Sequence, residues 1–261
     1  MKHQLTLRSR WRTGTEFRLN MKAMSSFIML ATLIAGAAAP ARAVAAQEEG
    51  VALAIVYDTS GSMQQAVKDA DGTRSPKYVI ARRALKAIVQ RLQAFVAAAP
   101  AGTPRRMEVG LFVFSGNEAR EFVRFGPFDG KNLDRWTSNL PPPSAGTPLG
   151  NALETATRAV LKSPLSRKHV LVVTDGVNTV GPKPNAVLPG LKRQAEESQT
   201  SLNVHFVAFD VDAKVFDPLK KMGVTVVGAA NETQLNDQLG FILEKKILLE
   251  DEEPPAKPKT N

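Results

Sequence analysis

Residues 51–62 read VALAIVYDTSGS, and this stretch indicates the fold of the chain. Seven consecutive apolar residues, 51–57, are followed at once by a polar loop that starts at Asp58. A continuous apolar run of this kind is typical of a strand that is buried on both faces, as in the centre of a parallel sheet. The loop that follows then lies at the carboxyl end of the strand, where open α/β sheets bind ligands.

Strands and helices alternate along the rest of the chain. We predict strands at residues 51–57, 109–114, 122–125 (a short edge strand), 170–174, 204–209 and 224–227. Helices are predicted to begin at Pro76, with Ser75 as the N-cap, at Pro148 and near residues 186, 215 and 231. In the last helix Asn231 and Gln234 are placed for a capping box, and the helix is expected to end near Leu249. This alternation predicts an α/β fold with a doubly wound, mostly parallel sheet that has helices on both faces. The domain spans residues 47–249, and the tail at 250–261, acidic and then rich in proline and lysine, is expected to be disordered.

The chain of 261 residues has a formal net charge of +9, and most of this charge lies in residues 1–46. A basic segment, an apolar run at 27–39 and small residues around Ala43 and Ala46 are typical of a secretory signal peptide, cleaved after either alanine. An uncleaved N-terminal anchor is the alternative, and Met21 or Met24 is an alternative start.

Without residues 1–46 the chain has 27 basic and 24 acidic residues, a net charge of +3. This near-neutral remainder shows no basic run interleaved with aromatic residues, so a nucleic-acid partner is not expected. We expect a periplasmic or secreted protein with no membrane span in the mature chain.

Oxygen-bearing side chains stand at three predicted loops. Asp58, Ser60 and Ser62 alternate in the first loop, Thr147 follows a proline-rich loop, and Asp175 follows a buried strand. Because Asp58 and Asp175 each follow a strand, we expect both at one edge of the sheet. The chain has no cysteine, which excludes disulfides, thiolate zinc sites and thiol catalysis. A set of hydroxyls and carboxylates suits Mg²⁺ or Mn²⁺ better than zinc.

Each segment alone also has a purely structural explanation. Asp58 also suits an Asx turn or a helix N-cap, Thr147 suits an N-cap before a proline at the first helical position, and Asp175 with Gly176 suits an ordinary turn. The joint placement of the three segments in one alternating chain favours a site over three separate turns.

Two further groups are interpreted as structural. Asp69 and Asp71 suggest a second cation site, but a solvated turn is the favoured interpretation. His169 and His205 lie in or beside predicted strands and are expected to be core or edge residues.

Three segments together resemble the motifs of von Willebrand factor A-type domains. VYDTSGSM (56–63) is similar to the Asp-x-Ser-x-Ser signature, SAGTPLGNAL (144–153) to the motif that supplies a threonine, and VVTDGVN (172–178) to the motif that supplies an aspartate. Their order and spacing match, and the resemblance spans residues 50–249. The chain is therefore identified as a bacterial, exported member of this family with a Rossmann-like fold.

The resemblance implies a metal-ion-dependent adhesion site that holds Mg²⁺, or Mn²⁺ or Ca²⁺. In the family, the serines that match Ser60 and Ser62 bind the metal directly, and the threonine that matches Thr147 binds it directly or through water. The carboxylates that match Asp58 and Asp175 act directly or through water, and a Glu or Asp of a protein partner often completes the coordination. The implied function is cation-dependent protein binding, as an adhesion or scaffold module and not as an enzyme.

A metal-dependent hydrolase is the alternative from a different class. Asp58 would then be a nucleophile, as in haloacid-dehalogenase-like phosphatases, but that family needs a second aspartate where this chain has Ser60. A structural protein whose site has lost its metal is a third alternative, and the complete set of five oxygen-bearing residues argues against it.

Overall fold

The computed structural model describes residues 47–69, 71–116 and 118–248. The predicted signal peptide and the predicted disordered tail lie outside the described residues. The strands are β1 (Glu48–Asp58), β2 (Ala66–Lys68), β3 (Arg74–Pro76), β4 (Met107–Ser115), β5 (Glu118–Pro127), β6 (Leu165–Thr174), β7 (Leu202–Phe209) and β8 (Thr225–Ala229). The α-helices are α1 (Lys77–Ala97), α2 (Gly130–Ser138), α3 (Leu149–Leu161), α4 (Pro184–Glu197), α5 (Asp217–Lys220) and α6 (Glu232–Ile242). Among these described helices, none is long and apolar enough to cross a membrane.

Within the described part of the chain, the main sheet has six strands in the order β5-β4-β1-β6-β7-β8. The pairs β1–β4, β1–β6, β6–β7 and β7–β8 are parallel, and the edge strand β5 is antiparallel to β4. The chain runs outward from β1 through β4 on one side and returns to β6 on the other. The strand order therefore changes direction between β1 and β6, and ligand crevices of open sheets lie at the carboxyl ends of such strands.

The side chains of β1 alternate between two apolar cores, one on each face of the sheet. Val51, Leu53 and Ile55 belong to the core that includes residues of α1 and α6, whereas Ala52 and Ala54 belong to the core that includes residues of α3 and α4. All five side chains are fully buried. Burial on both faces explains the uninterrupted apolar sequence, and it confirms the predicted α/β fold with helices on both faces of a mostly parallel sheet.

The first helix begins one residue later than predicted, and Ser75 does not cap it. Ser75 lies in β3, which pairs with β2 in a separate hairpin, and its hydroxyl donates to Asp69 Oδ2 at 2.6 Å. Pro76 occupies the N-cap position of α1 without a side-chain hydrogen bond. The predicted serine cap is wrong because the hairpin already uses the hydroxyl.

The last helix begins as predicted and changes form before its predicted end. Asn231 Oδ1 accepts the N–H of Gln234 at 2.9 Å, and Gln234 Oε1 accepts the N–H of Ala230 at 2.9 Å. The reciprocal bond of a capping box therefore goes to the residue before the cap. After Ile242 the helix continues as one π-helical turn, Leu243–Ile247.

Candidate metal centre

Asp58 ends β1 with a fully buried carboxylate, which is 0% exposed. Its Oδ1 accepts the N–H of Ser60 at 2.7 Å, and its Oδ2 accepts the hydroxyl of Thr174 at 2.6 Å. Burial, followed by the nearby charge of Asp175, raises the pKa of Asp58 to about 6, although the hydrogen bonds from Ser60 and Thr174 act in the opposite direction. The ionised form is therefore costly here, and a bound cation would offset that cost.

The Asx turn that was the structural alternative for Asp58 is present, and it also orients the two serines. Residues Gly61–Gln64 form a single 3₁₀ turn after Ser60. The hydroxyl oxygens of Ser60 and Ser62 lie 3.0 Å apart, and the Ser62 hydroxyl donates to Asp175 Oδ1 at 2.7 Å. The turn thus holds the two hydroxyls together, and the hydroxyl of Ser62 reaches the loop that follows β6.

Backbone hydrogen bonds connect the first loop to the proline-rich loop. Gly61 N–H donates to Ala145 O at 3.1 Å, and Ser144 N–H donates to Thr59 O at 2.8 Å. These two bonds hold the segment that leads to Thr147 against the Asp58 loop. Backbone geometry, and not side-chain contact alone, therefore brings the second motif to the first.

Thr147 is buried, and the structure does not use it as the helix cap that the sequence also allowed. Helix α3 begins at Leu149 without a side-chain cap at Pro148, and the N–H of Gly150 is accepted instead by Asn178 Oδ1 at 3.1 Å. Asn178, and not Thr147, accepts an N–H group at the start of the helix. The threonine hydroxyl is therefore not used as a helix cap.

The third loop completes the cluster. Asp175 follows β6 and is buried, with Oδ1 toward Ser62. A Cβ atom placed on Gly176 would lie 3.8 Å from Ser62 Oγ and 4.0 Å from Thr147 Oγ1, so both hydroxyls border the third loop. The structure thus brings all five predicted residues together at the carboxyl edge of β1 and β6.

Lys77 is a member of this cluster that the sequence interpretation missed. It is the first residue of α1 and only 2% exposed. Its ammonium lies 3.0 Å from Asp175 Oδ2, 3.0 Å from Asp210 Oδ2 and 3.2 Å from Gln65 Oε1. Burial alone would lower the pKa of Lys77, but its hydrogen bonds to Asp210 and Asp175 outweigh this effect and the pKa is raised. The lysine is therefore charged.

The donor set fits a hard divalent cation. Throughout the described ranges, no group of three or more His, Cys, Asp and Glu side chains is placed to hold a metal. The cluster has only two carboxylates, and its remaining donors are the hydroxyls of Ser60, Ser62 and Thr147. Oxygen donors with few carboxylates suit a partly hydrated Mg²⁺ or Mn²⁺ ion.

The two groups interpreted as structural lie outside this cluster. Asp71 Oδ1 accepts the N–H of Thr73 at 2.9 Å, which is the bonding of an exposed turn, and Asp69 accepts from Arg83 at 2.6 Å. His169 and His205 are buried in the sheet, with Nδ1 of the first 3.2 Å from Nε2 of the second. The histidines are core residues, as expected.

Comparison with known families agrees with the fold. The model of the von Willebrand factor type A domain matches residues 52–240, which is more than half of the chain. The chain belongs to this family. A search of curated protein sequences found no match.

Solved structures share the fold at low sequence identity. The PilB minor pilin from Streptococcus sanguinis is 17% identical with a TM-score of 0.53, over 75% of this chain and 61% of the pilin. The von Willebrand factor domain of the type V pili tip protein Mfa5 from Porphyromonas gingivalis is 12% identical with a TM-score of 0.54, over 75% and 95%. Proximal thread matrix protein 1 from the mussel byssus, with a zinc-occupied MIDAS motif, is 15% identical with a TM-score of 0.55, over 76% and 48%. The chain thus spans less than two thirds of the pilin and of the mussel protein.

Proposed function

We propose that this protein is an exported module that binds a protein partner through a divalent cation, and that Mg²⁺ is the preferred cation. The residues that would hold the cation are those predicted from the sequence: Asp58, Ser60, Ser62, Thr147 and Asp175. The observation that carries the proposal is the convergence of three loops on one buried cluster, in which Ser62 Oγ lies 3.0 Å from Ser60 Oγ and donates to Asp175 Oδ1 at 2.7 Å.

The mixture of donors explains why the partner would be acidic. Three of the five side chains are neutral hydroxyls, so they orient a cation without cancelling its charge. A cation bound there would accept a carboxylate oxygen from a Glu or Asp of the partner. Asp58 is held by Ser60 and Thr174, and Asp175 by Ser62 and Lys77, so the chain keeps both carboxylates in fixed positions.

The surface beside the cluster supports a protein as the partner. Val177, two residues after Asp175, is 48% exposed, and Val215 is 44% exposed. Both line a hollow of about 270 Å³, together with Leu149 and Leu219. Exposed apolar side chains next to a polar site are typical of protein-interaction surfaces.

The proposed location outside the cytoplasm depends on the predicted signal peptide in residues 1–46. Two of the structural neighbours, both from bacteria, are a minor pilin and a pilus tip protein. Their likeness to this chain is a likeness of fold, and it is compatible with an adhesion or scaffold role.

The phosphatase alternative is poorly supported by the geometry at Asp58. Its carboxylate is 0% exposed, and each of its oxygens accepts a hydrogen bond. A nucleophilic carboxylate needs access to the substrate along a free oxygen. Lys77 contacts Asp175 and Asp210, and this arrangement orients Asp175 instead of activating Asp58.

Thermal unfolding with and without metal tests the proposed site. After treatment with EDTA and dialysis, Mg²⁺ at about a hundredfold excess over its Kd is expected to raise Tm by about 5–10 °C, because only the folded state offers the converged loops. Asp58→Ala and Ser60→Ala should abolish this rise, whereas Asp71→Ala, in an exposed turn, should retain it. Absence of any shift with Mg²⁺, Mn²⁺ or Ca²⁺ would contradict the metal site.

Capture of a partner tests the binding role. The chain, incubated with the exported protein fraction of its host, is expected to retain a protein that EDTA releases and that Asp58→Ala fails to capture. Turnover of a generic phosphoester that Asp58→Ala abolishes would instead support the hydrolase.

A further inference from the structure

We infer that Lys77 is a resident counter-ion of the metal centre: it pairs with Asp175 when no metal is bound, competes with the metal for that carboxylate, and adds a positive charge beside the loaded site that favours an anionic ligand. This inference rests on the metal centre proposed above. It assigns a specificity-determining role to a residue outside the five predicted metal ligands.

The position of Lys77 is unfavourable unless it is matched by acidic partners. The N-terminal turn of a helix carries partial positive charge, so a lysine at the first residue of α1 is repelled there. The ammonium is also almost fully buried, and an unpaired buried charge is costly. Asp175 and Asp210, each 3.0 Å away, provide the compensation.

The buried carboxylates of Asp58 and Asp175 also depend on the charge of Lys77. Asp58 and Asp175 are both buried, and Asp58 Oδ2 lies 3.4 Å from the backbone nitrogen of Asp175. Among the described residues, Lys77 is the cation recorded in an ion pair with Asp175. The lysine therefore stabilises the metal-free site, because it neutralises one of two adjacent buried carboxylates.

Lys77 also determines which oxygen Asp175 can offer. Oδ2 accepts from the ammonium at 3.0 Å, while Oδ1 accepts from the hydroxyl of Ser62 at 2.7 Å. A metal that draws on Asp175 must therefore share this carboxylate with Lys77. The lysine lowers the affinity for the metal, and in exchange it fixes the orientation of the carboxylate.

The charge balance of the buried groups gives the selectivity. Asp58 and Asp175 together balance one divalent cation, so once the metal is bound only Asp210 is left to balance the charge of Lys77. Asp210 is 39% exposed, and solvent screens its share of the interaction. A carboxylate ligand is thus favoured over a neutral one by Lys77 as well as by the metal.

Calorimetric titration of the metal-stripped chain with MgCl₂ tests the competition. We expect Lys77→Met to bind Mg²⁺ on the order of tenfold more tightly, because a positive charge beside the site is removed, and to unfold at a lower temperature without metal. Lys77→Arg retains the charge and should bind Mg²⁺ as the wild type does. Lys168→Met is the matched control, because Lys168 is as deeply buried as Lys77 but lies far from the site. It is in the N-terminal half of β6, whereas the third loop follows the C-terminal end of that strand. It should lose stability with unchanged Mg²⁺ affinity.

A second variant covers the case in which Lys77→Met does not fold. Asp210→Asn removes one partner of Lys77 at a half-exposed position, and asparagine tolerates the positive φ of 53° there. The lysine then pairs with Asp175 alone, so Mg²⁺ should bind about two- to threefold more weakly. This change is opposite in sign to that of Lys77→Met.

Acetate tests the selectivity as a carboxylate probe. With Mn²⁺ in the site, acetate binding is followed through the relaxation of water protons, and it should be several-fold weaker in Lys77→Met than in the wild type. Equal acetate affinity in the two proteins would overturn the selectivity, whatever the Mg²⁺ titration gives.

The outcomes separate this inference from the proposed function. If the wild type binds Mg²⁺ and Lys77→Met binds it equally or more weakly, the competition is overturned and the metal site stands. If the wild type binds no metal but Lys77→Met does, the lysine blocks the site, the competition holds in its strongest form and the proposed function fails. If neither binds, both are overturned.

Discussion

Two pairs of like titratable side chains are buried in the same sheet, but the groups that surround them differ. Asp58 and Asp175 lie at the carboxyl edge of β1 and β6, where hydroxyls, backbone N–H groups and an ammonium surround them. His169 and His205 lie stacked within β6 and β7, with ring centroids 5.5 Å apart. The edge supplies groups that stabilise charge, whereas the interior supplies mainly apolar contacts.

Burial favours the neutral form in both pairs, because it raises the pKa of Asp58 and lowers the pKa of the histidines. The difference lies in the neighbouring groups: hydrogen bonds from Ser60 and Thr174 lower the pKa of Asp58 again, whereas the charges beside the histidines act in the same direction as burial. Burial, followed by the charges of His205 and Arg167, lowers the pKa of His169 well below its usual value. Burial, followed by the charge of Lys246, lowers the pKa of His205 to about 4. Both imidazoles are therefore neutral near pH 7, and the two uncharged rings stack on each other. The carboxylate pair, with Lys77 as its counter-ion, is arranged to receive a cation.

Removal of Asp175 should have the largest effect on stability. Asp175→Ala leaves the buried ammonium of Lys77 with the half-exposed Asp210, and breaking one side of a buried ion pair costs about 3 kcal/mol. Relief of the repulsion with Asp58 offsets part of this loss. Urea unfolding of the metal-free protein in EDTA measures the change in the free energy of unfolding. An Asp175→Ala variant as stable as the wild type would show that Lys77 needs no buried partner, and the exposed Asp71→Ala serves as the control.

Acid should act on the histidine pair with a somewhat smaller effect. In the unfolded chain each histidine takes up a proton near pH 6.5, whereas His205 in the folded protein does so only near pH 4. At His205 the unfolded state therefore binds more protons between these values, and the contribution of this residue lowers the free energy of unfolding by about 2 kcal/mol as the pH falls from 7 to 5.

The difference between the wild type and His205→Phe isolates this contribution from that of Asp58. The raised pKa of Asp58 acts in the opposite direction, since its folded form takes up a proton near pH 6, before the unfolded chain does. Urea unfolding at several pH values should give a shallower loss on acidification in His205→Phe. Equal slopes in the two proteins would mean that His205 takes up its proton at the same pH in the folded and the unfolded chain.

The comparison also shows what the sequence can predict. The apolar run at 51–57 and the three polar segments are local signals, and local signals were sufficient for the central strand, the sheet edge and the five clustered side chains. Lys77 carries a weaker signal, a basic residue in the first turn of a helix, against the helix dipole. Its partners come from the ends of β6 and β7, so the contact depends on tertiary structure that a single sequence does not reveal.

Other misses have similar physical reasons. Strands β2 and β3 have three residues each, too few for a periodic pattern to be recognised. Helix α2 (GKNLDRWTS) buries only Leu133 and Thr137, so it lacks an apolar repeat. At α3, both Thr147 and Asn178 are suitable caps by residue type, and only the fold determines which of them reaches the helix.

The different roles of Asn178 and Thr147 at the start of α3 give the prediction with the smallest effect on stability. Asn178→Ala removes the acceptor for Gly150 N–H and should lower the free energy of unfolding by about 1 kcal/mol, the usual cost of a lost cap. It should leave most of the Mg²⁺-dependent rise in Tm in place. Thr147→Ala should do the reverse, with little change without metal and a strongly reduced rise with Mg²⁺, because its hydroxyl faces the cluster and caps nothing. Melting curves of both variants with EDTA and with Mg²⁺ check this. A Thr147→Ala variant that loses stability without metal while retaining its full Mg²⁺ response would show that the threonine stabilises the helix. It would then not belong to the metal centre at the edge of the sheet.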